Sequence, residues 1–167
     1  MAEALIDGLR TRYEVLGDGP PLLMYAPGGF DATIEKWSTQ GVYARVKLLE
    51  QLPKKYRCIV FDRRECGQSA GRIELVTWAH YARQGKLLLE HLGIERAHVM
   101  GGCMGCSCVM AFAVAPGLRK APSDTSVYHE GPADRLRNSS SRAGALASVC
   151  CSGSTSQYWD FGKHSSR

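Results

Sequence analysis

The 167-residue chain contains no apolar run of the roughly 18 residues that a membrane span needs, and its N-terminus lacks the apolar core of a signal peptide. Its longest basic runs are pairs, Lys54-Lys55 and Arg63-Arg64, although the net charge is +5. A nucleic-acid binder usually gathers its basic residues in one run or on one face. We therefore expect a cytoplasmic protein with no membrane contact and no nucleic-acid partner.

The seven cysteines form an odd count and lie mostly within apolar stretches. A secreted disulfide framework usually contains an even number of cysteines at regular spacings. The pattern therefore favours reduced thiols, which are typical of a cytoplasmic compartment.

Composition divides the chain near Pro116. Residues 1–115 alternate between strand-like and helix-like patterns, which predicts a folded core. Residues 116–167 are rich in Ser, Arg, Gly and Pro and contain no Ile or Met. Such a segment buries too little apolar surface to offset the entropy of its chain. We expect it to be an irregular or disordered tail.

The predicted elements of the first part alternate in type. For one helix, Thr77 is the expected N-cap and Gly93 the expected stop. Because strands separated by helices make right-handed crossovers, the pattern predicts an α/β fold with a mostly parallel sheet of five strands within residues 10–115. The clearest strand patterns are at 11–16, 22–26, 56–62 and 94–100, and the helices are predicted near 42–52, 77–92 and 104–115.

The motif Gly101-Gly102-Cys103-Met104-Gly105 follows the last predicted strand and opens the last predicted helix. A nucleophile on such a sharp turn has a strained backbone, and only small residues two positions away avoid collision with neighbouring elements. The turn would expose Cys103 at the carboxyl end of the sheet, where open α/β sheets bind ligands. It would also place the sulfur at a helix N-terminus, whose partial positive charge favours the thiolate.

This motif resembles the nucleophile elbow of the α/β-hydrolase family, G-x-S-x-G, in which Ser or Cys is the nucleophile. Three further segments are similar to the family in order and spacing. They are the glycine loop at 27–30, the loop at 62–69, which resembles D-x-R-G-x-G-x-S, and the run at 93–99 that leads into the elbow. The resemblance covers about residues 10–115, which corresponds to the N-terminal half of a family member.

The resemblance implies a function and the residues that perform it. Cys103 would attack the carbonyl of a small acyl substrate, and the backbone N–H groups of Met104 and Gly29 would form the oxyanion hole, with no cofactor and no metal ion. Cys in place of the commoner Ser narrows the substrates to activated esters, lactones or thioesters. Pro27 replaces the family's usual His and Glu65 replaces a usual glycine, so we expect both loops to be altered.

The acid and the histidine of this family follow the nucleophile in the chain, on loops after later strands. Here no candidate stands in such a setting, and the stretch from Cys103 to His164 is too short for the missing strand–helix units. An impaired acyl hydrolase and a non-catalytic truncated or frame-shifted remnant therefore both stay open. The strand at 94–100 would become an unpaired edge, through which chains could self-associate. The candidate acids and bases are Asp124, Glu130, Asp134, Asp160, His129 and His164.

Two other functions could explain the spacing of the cysteines near the elbow. Cys103 and Cys106 form a C-x-x-C at a helix start, as in thioredoxin-like redox sites, and Cys108 extends the pattern toward a metal site. Thioredoxin-like chains lack the glycine loop and the 62–69 segment. The three cysteines also do not share one helical face, which disfavours a metal site.

The arginines of the 62–69 loop, the histidines before the elbow and the large aromatic residues all have plausible structural roles. Arg63 and Arg64 either brace their loop by hydrogen bonds or bind an anionic substrate. Histidines that precede the nucleophile are in the wrong order for catalysis in this family, and the large aromatic residues suit packing better than a substrate pocket. These residues are His80, His91, His98, Trp37, Trp78 and Phe112.

Overall fold

The computed structural model describes residues 1–69 and 76–115 and, beyond them, the backbone of two strands. In chain order the strands are β1 (Ala2–Ile6), β2 (Leu9–Leu16), β3 (Pro21–Tyr25), β4 (Arg57–Phe61), β5 (Arg96–Gly101), β6 (Arg119–Lys120) and β7 (Thr155–Asp160). The helices are α1 (Lys36–Thr39), α2 (Gly41–Val46), α3 (Leu48–Gln51), α4 (Trp78–His91) and α5 (Gly105–Val114), and a 3₁₀ turn spans Leu52–Lys54. No helix within these residues is long and apolar enough to cross a membrane.

The strands form one mixed sheet in the order β1-β2-β4-β3-β5-β7-β6. The three central strands, β4, β3 and β5, run parallel, as strands joined by helical crossovers do. Antiparallel pairs lie on both sides, β1 and β2 on one and β7 and β6 on the other. The predicted α/β fold is confirmed, with parallel pairing confined to the centre of the sheet.

The sequence pattern does not predict β1, which pairs with β2 across the two-residue turn Asp7-Gly8. The φ angles of these two residues are +53° and +73°. Positive φ at both positions gives the tight turn whose twist matches that of two antiparallel strands. The fifth strand of the N-terminal part therefore lies before residue 10, outside the predicted range.

The predicted helices near 77–92 and 104–115 are present as α4 and α5. The hydroxyl of Thr77 accepts a hydrogen bond from the His80 N–H at 3.4 Å, which caps α4 as predicted. Gly93 follows the helix with a φ of +67°, a conformation that glycine adopts at little cost.

The helix predicted near 42–52 is interrupted. Lys47 has a φ of +53° and separates α2 from α3. The apolar spacing that predicts one helix includes Val42 and Val46, but these side chains are 41% and 52% exposed. Because that pair buries little surface, the packing does not require a continuous helix here.

Both faces of the sheet are covered, and β3 contributes alternate residues to each. Leu23 and Tyr25 belong to the core beneath α4 and α5. Leu22 and Met24 belong to the opposite core, in which Trp37 of α1 is fully buried. This alternation follows from the two-residue period of a strand and holds the carboxyl end of β3 between two packed layers.

The strand β5 has a neighbour on each side. It pairs in parallel with β3 and antiparallel with β7, whose residues 155–160 lie opposite 96–101. The expectation that this strand is an unpaired edge is therefore wrong, because a segment of the C-terminal part supplies its partner. Two strands thus replace part of the expected irregular tail, and the rest of 116–167 lies outside the described residues. Self-association stays a prediction and no longer has an unpaired β5 as its route.

Asp62 ties three segments together where β4 ends, and its side chain is fully buried. Its Oδ1 accepts a hydrogen bond from the Ile34 N–H at 2.8 Å. Its Oδ2 accepts from the Gln68 N–H at 2.8 Å and from Arg12 Nη1 at 3.4 Å. Gly67 has a φ of +55°, and a Cβ there would overlap the Asp62 carboxylate. The contacts of this buried carboxylate thus explain why the 62–69 loop has an Asp at position 62 and a Gly at position 67.

We predict that Asp62→Asn lowers the free energy of unfolding by about 3 kcal/mol, because the buried Arg12 guanidinium loses a charged partner. Urea unfolding followed by tryptophan fluorescence measures this loss. Asp18→Asn makes the same chemical change on an exposed residue and should alter the value by less than about 0.5 kcal/mol. A loss as small as that of the Asp18 variant would contradict the role given to Asp62.

Candidate active site

Cys103 occupies the sharp turn between β5 and α5. Its φ is +50°, a left-handed conformation that costs a non-glycine residue free energy, and its side chain is exposed. The turn is closed by hydrogen bonds from the Gly105 N–H to the Gly102 carbonyl at 2.7 Å and from the Cys106 N–H to the Cys103 carbonyl at 3.0 Å. The predicted strained turn is therefore present, with the thiol at its tip.

The glycines two positions before and after Cys103 are required by close packing. A Cβ at Gly101 would overlap the carbonyl of Gly105, and a Cβ at Gly105 would overlap the carbonyl of Tyr25, the last residue of β3. The Gly102 N–H also donates to the Tyr25 carbonyl at 3.1 Å. The backbone of the turn is thus pressed against the end of the neighbouring strand.

Tyr43 of α2 supports the other side of the turn. Its ring lies so near Gly102 that a Cβ there would be 3.0 Å from the Tyr43 Cζ atom. Burial raises the pKa of the Tyr43 hydroxyl, which lies within hydrogen-bonding reach of the Cys103 backbone. No sequence pattern singles out this residue, because its contact depends on how α2 packs.

The loop that follows β3 lies beside the turn. Gly28 has a φ of +113°, and a Cβ placed on Gly29 would be 3.7 Å from the Met104 Sδ atom. The Gly29 N–H donates to Asp31 Oδ1 at 3.2 Å. Among the described residues no acceptor takes the Met104 N–H. Of the two predicted oxyanion donors, one is therefore unpaired and the other is engaged by an aspartate within its own loop.

Asp31 is a residue that the sequence reasoning missed. Its carboxylate is largely exposed and is ion-paired with Lys36, which lowers the pKa of Asp31 below its ordinary value. The sequence gives no clear signal for this contact, because an Asp side chain commonly bonds the backbone two residues later, whereas Asp31 bonds the N–H two residues earlier. The pairing means that a ligand must compete with Asp31 for the Gly29 N–H.

Arg63 contacts the backbone of the same glycine loop. Its Nη2 donates to the Gly29 carbonyl, and its guanidinium carbon lies 4.4 Å from the centre of the Tyr81 ring. The neighbouring Arg64 donates from Nε to Glu65 at 2.8 Å. Glu65 itself has a φ of +64°, so it keeps the conformation that suits the usual glycine of this position.

A cavity of about 390 Å³ opens beside the turn. Trp78, which the sequence assigns to packing, is 45% exposed and lines this cavity, whereas Trp37 and Phe112 are fully buried packing residues as predicted. The lining consists of Gly29, Phe30, Arg63, Val76, Thr77, Trp78, Tyr81 and Met104.

The cysteines of the described residues are free and differ sharply in environment. Cys106 is buried, and its Sγ donates to the Gly101 carbonyl at 3.1 Å, whereas Cys103 is exposed. Burial raises the pKa of Cys58 to about 12 and that of Cys108 to about 11. No group of three or more His, Cys, Asp or Glu side chains in this part of the chain is arranged to hold a metal ion.

The described histidines make contacts away from Cys103. His80 Nδ1 lies 3.1 Å from the Thr77 hydroxyl, and the ring of His91 lies edge-on to that of Tyr13. His98 is packed on Tyr56, and burial lowers its pKa. Asp160 lies on β7, and the other candidates for the acid and the base, Asp124, Glu130, Asp134, His129 and His164, lie outside the described residues.

The strained turn and the adjoining glycine loop together have the form of an α/β-hydrolase site. The family model for the alpha/beta hydrolase fold matches residues 21–117, which is more than half of the chain. The protein therefore belongs to the α/β-hydrolase fold family.

Relatives of this chain carry several different activities. It is 29% identical over 109 residues to the dihydrolipoyllysine-residue acetyltransferase component of the acetoin cleaving system of Cupriavidus necator, a match that covers 65% of this chain and 27% of that protein. It is 39% identical over 67 residues to the proline iminopeptidase of Xanthomonas citri, covering 38% of this chain and 21% of that protein. The chain thus spans about a quarter of the length of these relatives.

A solved structure shows the same fold. The enol-lactonase of Burkholderia xenovorans LB400 superposes with a TM-score of 0.57 at 22% identity, over 67% of this chain and 41% of that one. At this level of identity the likeness establishes the architecture and leaves the substrate open.

We predict that iodoacetamide at neutral pH labels Cys103 before the other described cysteines, because its thiol is exposed and theirs are buried. Peptide mass spectrometry at short reaction times measures the order, and labelling in urea, where burial is lost, is the control. Preferential labelling of Cys58 or Cys66 in the folded chain would contradict the assignment. A disulfide between Cys103 and Cys106 that forms under mild oxidation would favour the redox interpretation instead.

Proposed function

We propose that this chain carries the nucleophile and oxyanion hole of an acyl hydrolase that acts on esters, lactones or thioesters. The observation that carries the proposal is the exposed Cys103 thiol on a turn with a φ of +50°, next to the unpaired N–H of Met104. This combination suits a nucleophile whose attack creates an oxyanion within reach of a backbone donor.

The five described cysteines are all free thiols, which supports a reducing compartment such as the cytoplasm.

The reaction begins when the Cys103 thiolate adds to the carbonyl carbon of the substrate. The carbonyl oxygen becomes an oxyanion, to which the N–H of Met104 and the N–H of Gly29 donate. Collapse of this intermediate breaks the bond from the carbonyl carbon to the leaving oxygen or sulfur, which departs as an alkoxide or thiolate, takes a proton from solvent and leaves a thioester on Cys103. Water then hydrolyses the thioester, and a general base must take its proton. Any such base would come from His129 or His164 or from chain beyond these residues.

Each donor of an oxyanion hole contributes roughly 3–4 kcal/mol of transition-state stabilisation. The Gly29 N–H is only partly available to stabilise an oxyanion, because it already donates a hydrogen bond to Asp31. Lys36 holds Asp31 by an ion pair at the exposed edge of the loop. Rotation of Asp31 toward solvent would release the Gly29 N–H for the substrate oxygen.

We predict that Asp31→Ala accelerates acylation of Cys103 by p-nitrophenyl acetate by about fivefold, since it removes a competing hydrogen bond with a net value of about 1 kcal/mol. The rate of nitrophenolate release in the first turnover measures the effect. Asp31→Asn keeps an acceptor oxygen in the same place and should gain much less. A slower rate in Asp31→Ala would mean that the aspartate organises the loop rather than competing for its donor.

A second candidate is a non-catalytic member of the family. The sequence around the candidate acids and histidines favours this alternative. Those that lie outside the described residues are not preceded by a strand-then-loop pattern, which the family's acid and histidine follow. General acid–base help is typically worth about 10²–10⁴ in rate, so a site without a base acylates slowly and deacylates hardly at all.

We predict a burst of at most one nitrophenolate per chain from p-nitrophenyl acetate, followed by little turnover, because the histidines of the described residues contact other groups and leave none to activate the water. Intact-mass spectrometry should find one acetyl group, which Cys103→Ala abolishes and Cys106→Ala retains. Steady turnover that depends on Cys103 would contradict the stalled step. His164→Ala and His129→Ala would then identify the base.

A further inference from the structure

The guanidinium of Arg63 is a buried cation without a carboxylate partner among the described residues. The side chain is 3% exposed, and its Nε atom makes no hydrogen bond. Its partners are the Gly29 carbonyl, the Cys108 Sγ atom at 3.8 Å from Nη1, the Cys66 thiol and the face of the Tyr81 ring. A carbonyl, two thiols and a ring offset the charge only in part, because a buried ion is costly unless it is paired.

Two neighbouring arginines, the buried Arg12 and the partly buried Arg64, are paired with carboxylates, although each also keeps one buried nitrogen without a hydrogen bond. Arg12 contacts three carboxylates, those of Glu14, Glu35 and Asp62. Arg64 contacts the carboxylates of Asp7 and Glu65. The acidic residues on either side of Arg63, at positions 62 and 65, are therefore turned toward its neighbours. Among the described residues, the fold places carboxylates on these two guanidiniums and none on that of Arg63.

Arg63 also lines the cavity beside Cys103. At one end of this cavity Gly29 and Met104 supply the two proposed oxyanion donors. Much of the remaining lining is apolar or aromatic, and Phe30 and Trp78 are well exposed at 73% and 45%. A single unpaired cation in such a wall is a recognition element for an anionic group, because the low-polarity surroundings strengthen the attraction.

We propose that Arg63 is a specificity-determining residue for acyl substrates that carry a carboxylate close to the scissile carbonyl and an apolar body. This inference rests on the proposed function, since it takes Cys103 as the nucleophile. The carboxylate would pair with the guanidinium while the carbonyl oxygen meets the N–H groups of Gly29 and Met104. Both contacts adjoin Gly29, so the two acceptor groups of the substrate must lie near each other.

The test is the alkylation of Cys103 by two reagents of the same size, iodoacetate and iodoacetamide. They differ in charge, and neither needs a catalytic base. The second-order rate constants at Cys103 are measured by peptide mass spectrometry, and their ratio is divided by the same ratio for N-acetylcysteine at the same ionisation. We expect the folded protein to favour iodoacetate by about fivefold and this preference to weaken as salt is added.

Variants separate recognition from bracing of the loop. Arg63→Gln should bring the ratio to that of N-acetylcysteine, and Arg63→Lys should keep part of the preference. Arg10→Gln, which removes an exposed cation, should leave the ratio unchanged. If Arg63→Gln does not fold, the iodoacetate preference of the original chain and its partial loss in Arg63→Lys still test the role of Arg63.

Three outcomes are possible that would each contradict a different claim, and the two labelling rates distinguish them. Fast labelling of Cys103 without preference for iodoacetate overturns the role of Arg63 and leaves the nucleophile in place. Equal slowing of both reagents in Arg63→Gln reduces Arg63 to a positioning residue for the Gly29 loop. Failure of both reagents to label Cys103 first overturns the proposed function itself.

Discussion

The close approach of the turn at Cys103 to the end of β3 is the constraint on which the site depends. Tyr25 ends that strand, and its carbonyl meets the backbone of the turn so tightly that Gly105 cannot carry a side chain. Its own side chain is fully buried, donates to the Tyr81 carbonyl at 3.0 Å and packs edge-on against Phe61 and Phe112. One residue therefore joins the strained turn to β4, α4 and α5. A left-handed Cys103 costs of order 1–3 kcal/mol, and it persists because this packing over-determines it.

A second network fixes the loop that faces the turn. Asp62 accepts hydrogen bonds from the Ile34 N–H and from the Gln68 N–H near the far end of its own loop, and the adjoining Arg63 reaches across to the Gly29 carbonyl. The candidate oxyanion loop is thus held by a side chain that follows β4, while the candidate nucleophile is held by the end of β3. Because β3 and β4 are hydrogen-bonded neighbours, both contacts come from the same end of the parallel part of the sheet. Such positioning on rigid elements is what an acyl-transfer site requires.

The parts predicted well from the sequence are those governed by local rules. The strained turn was predictable because residues near Cys103 must be small, and α4 because its cap and its stop are both local. Contacts between distant segments were not predictable. Lys47 interrupts an apolar pattern whose exposed Val42 and Val46 bury little surface, and Arg12 pairs with Asp62 across 50 positions without any motif. The antiparallel partner of β5 likewise comes from far along the chain. Asp31 is intermediate, because its bond to Gly29 is local but was not recognised.

In the proposed reaction, the turn and the glycine loop together hold an acyl group on Cys103 with its oxygen bound by backbone N–H groups. The most direct measurement is difference infrared spectroscopy of the chain after reaction with p-nitrophenyl acetate labelled with ¹³C at the carbonyl. We expect a thioester on Cys103 whose carbonyl stretch lies below that of S-acetyl-N-acetylcysteine in water, because two backbone donors polarise it more strongly than solvent does. An adduct on another residue, or a stretch at or above that of the reference, would exclude this role for the turn and the loop.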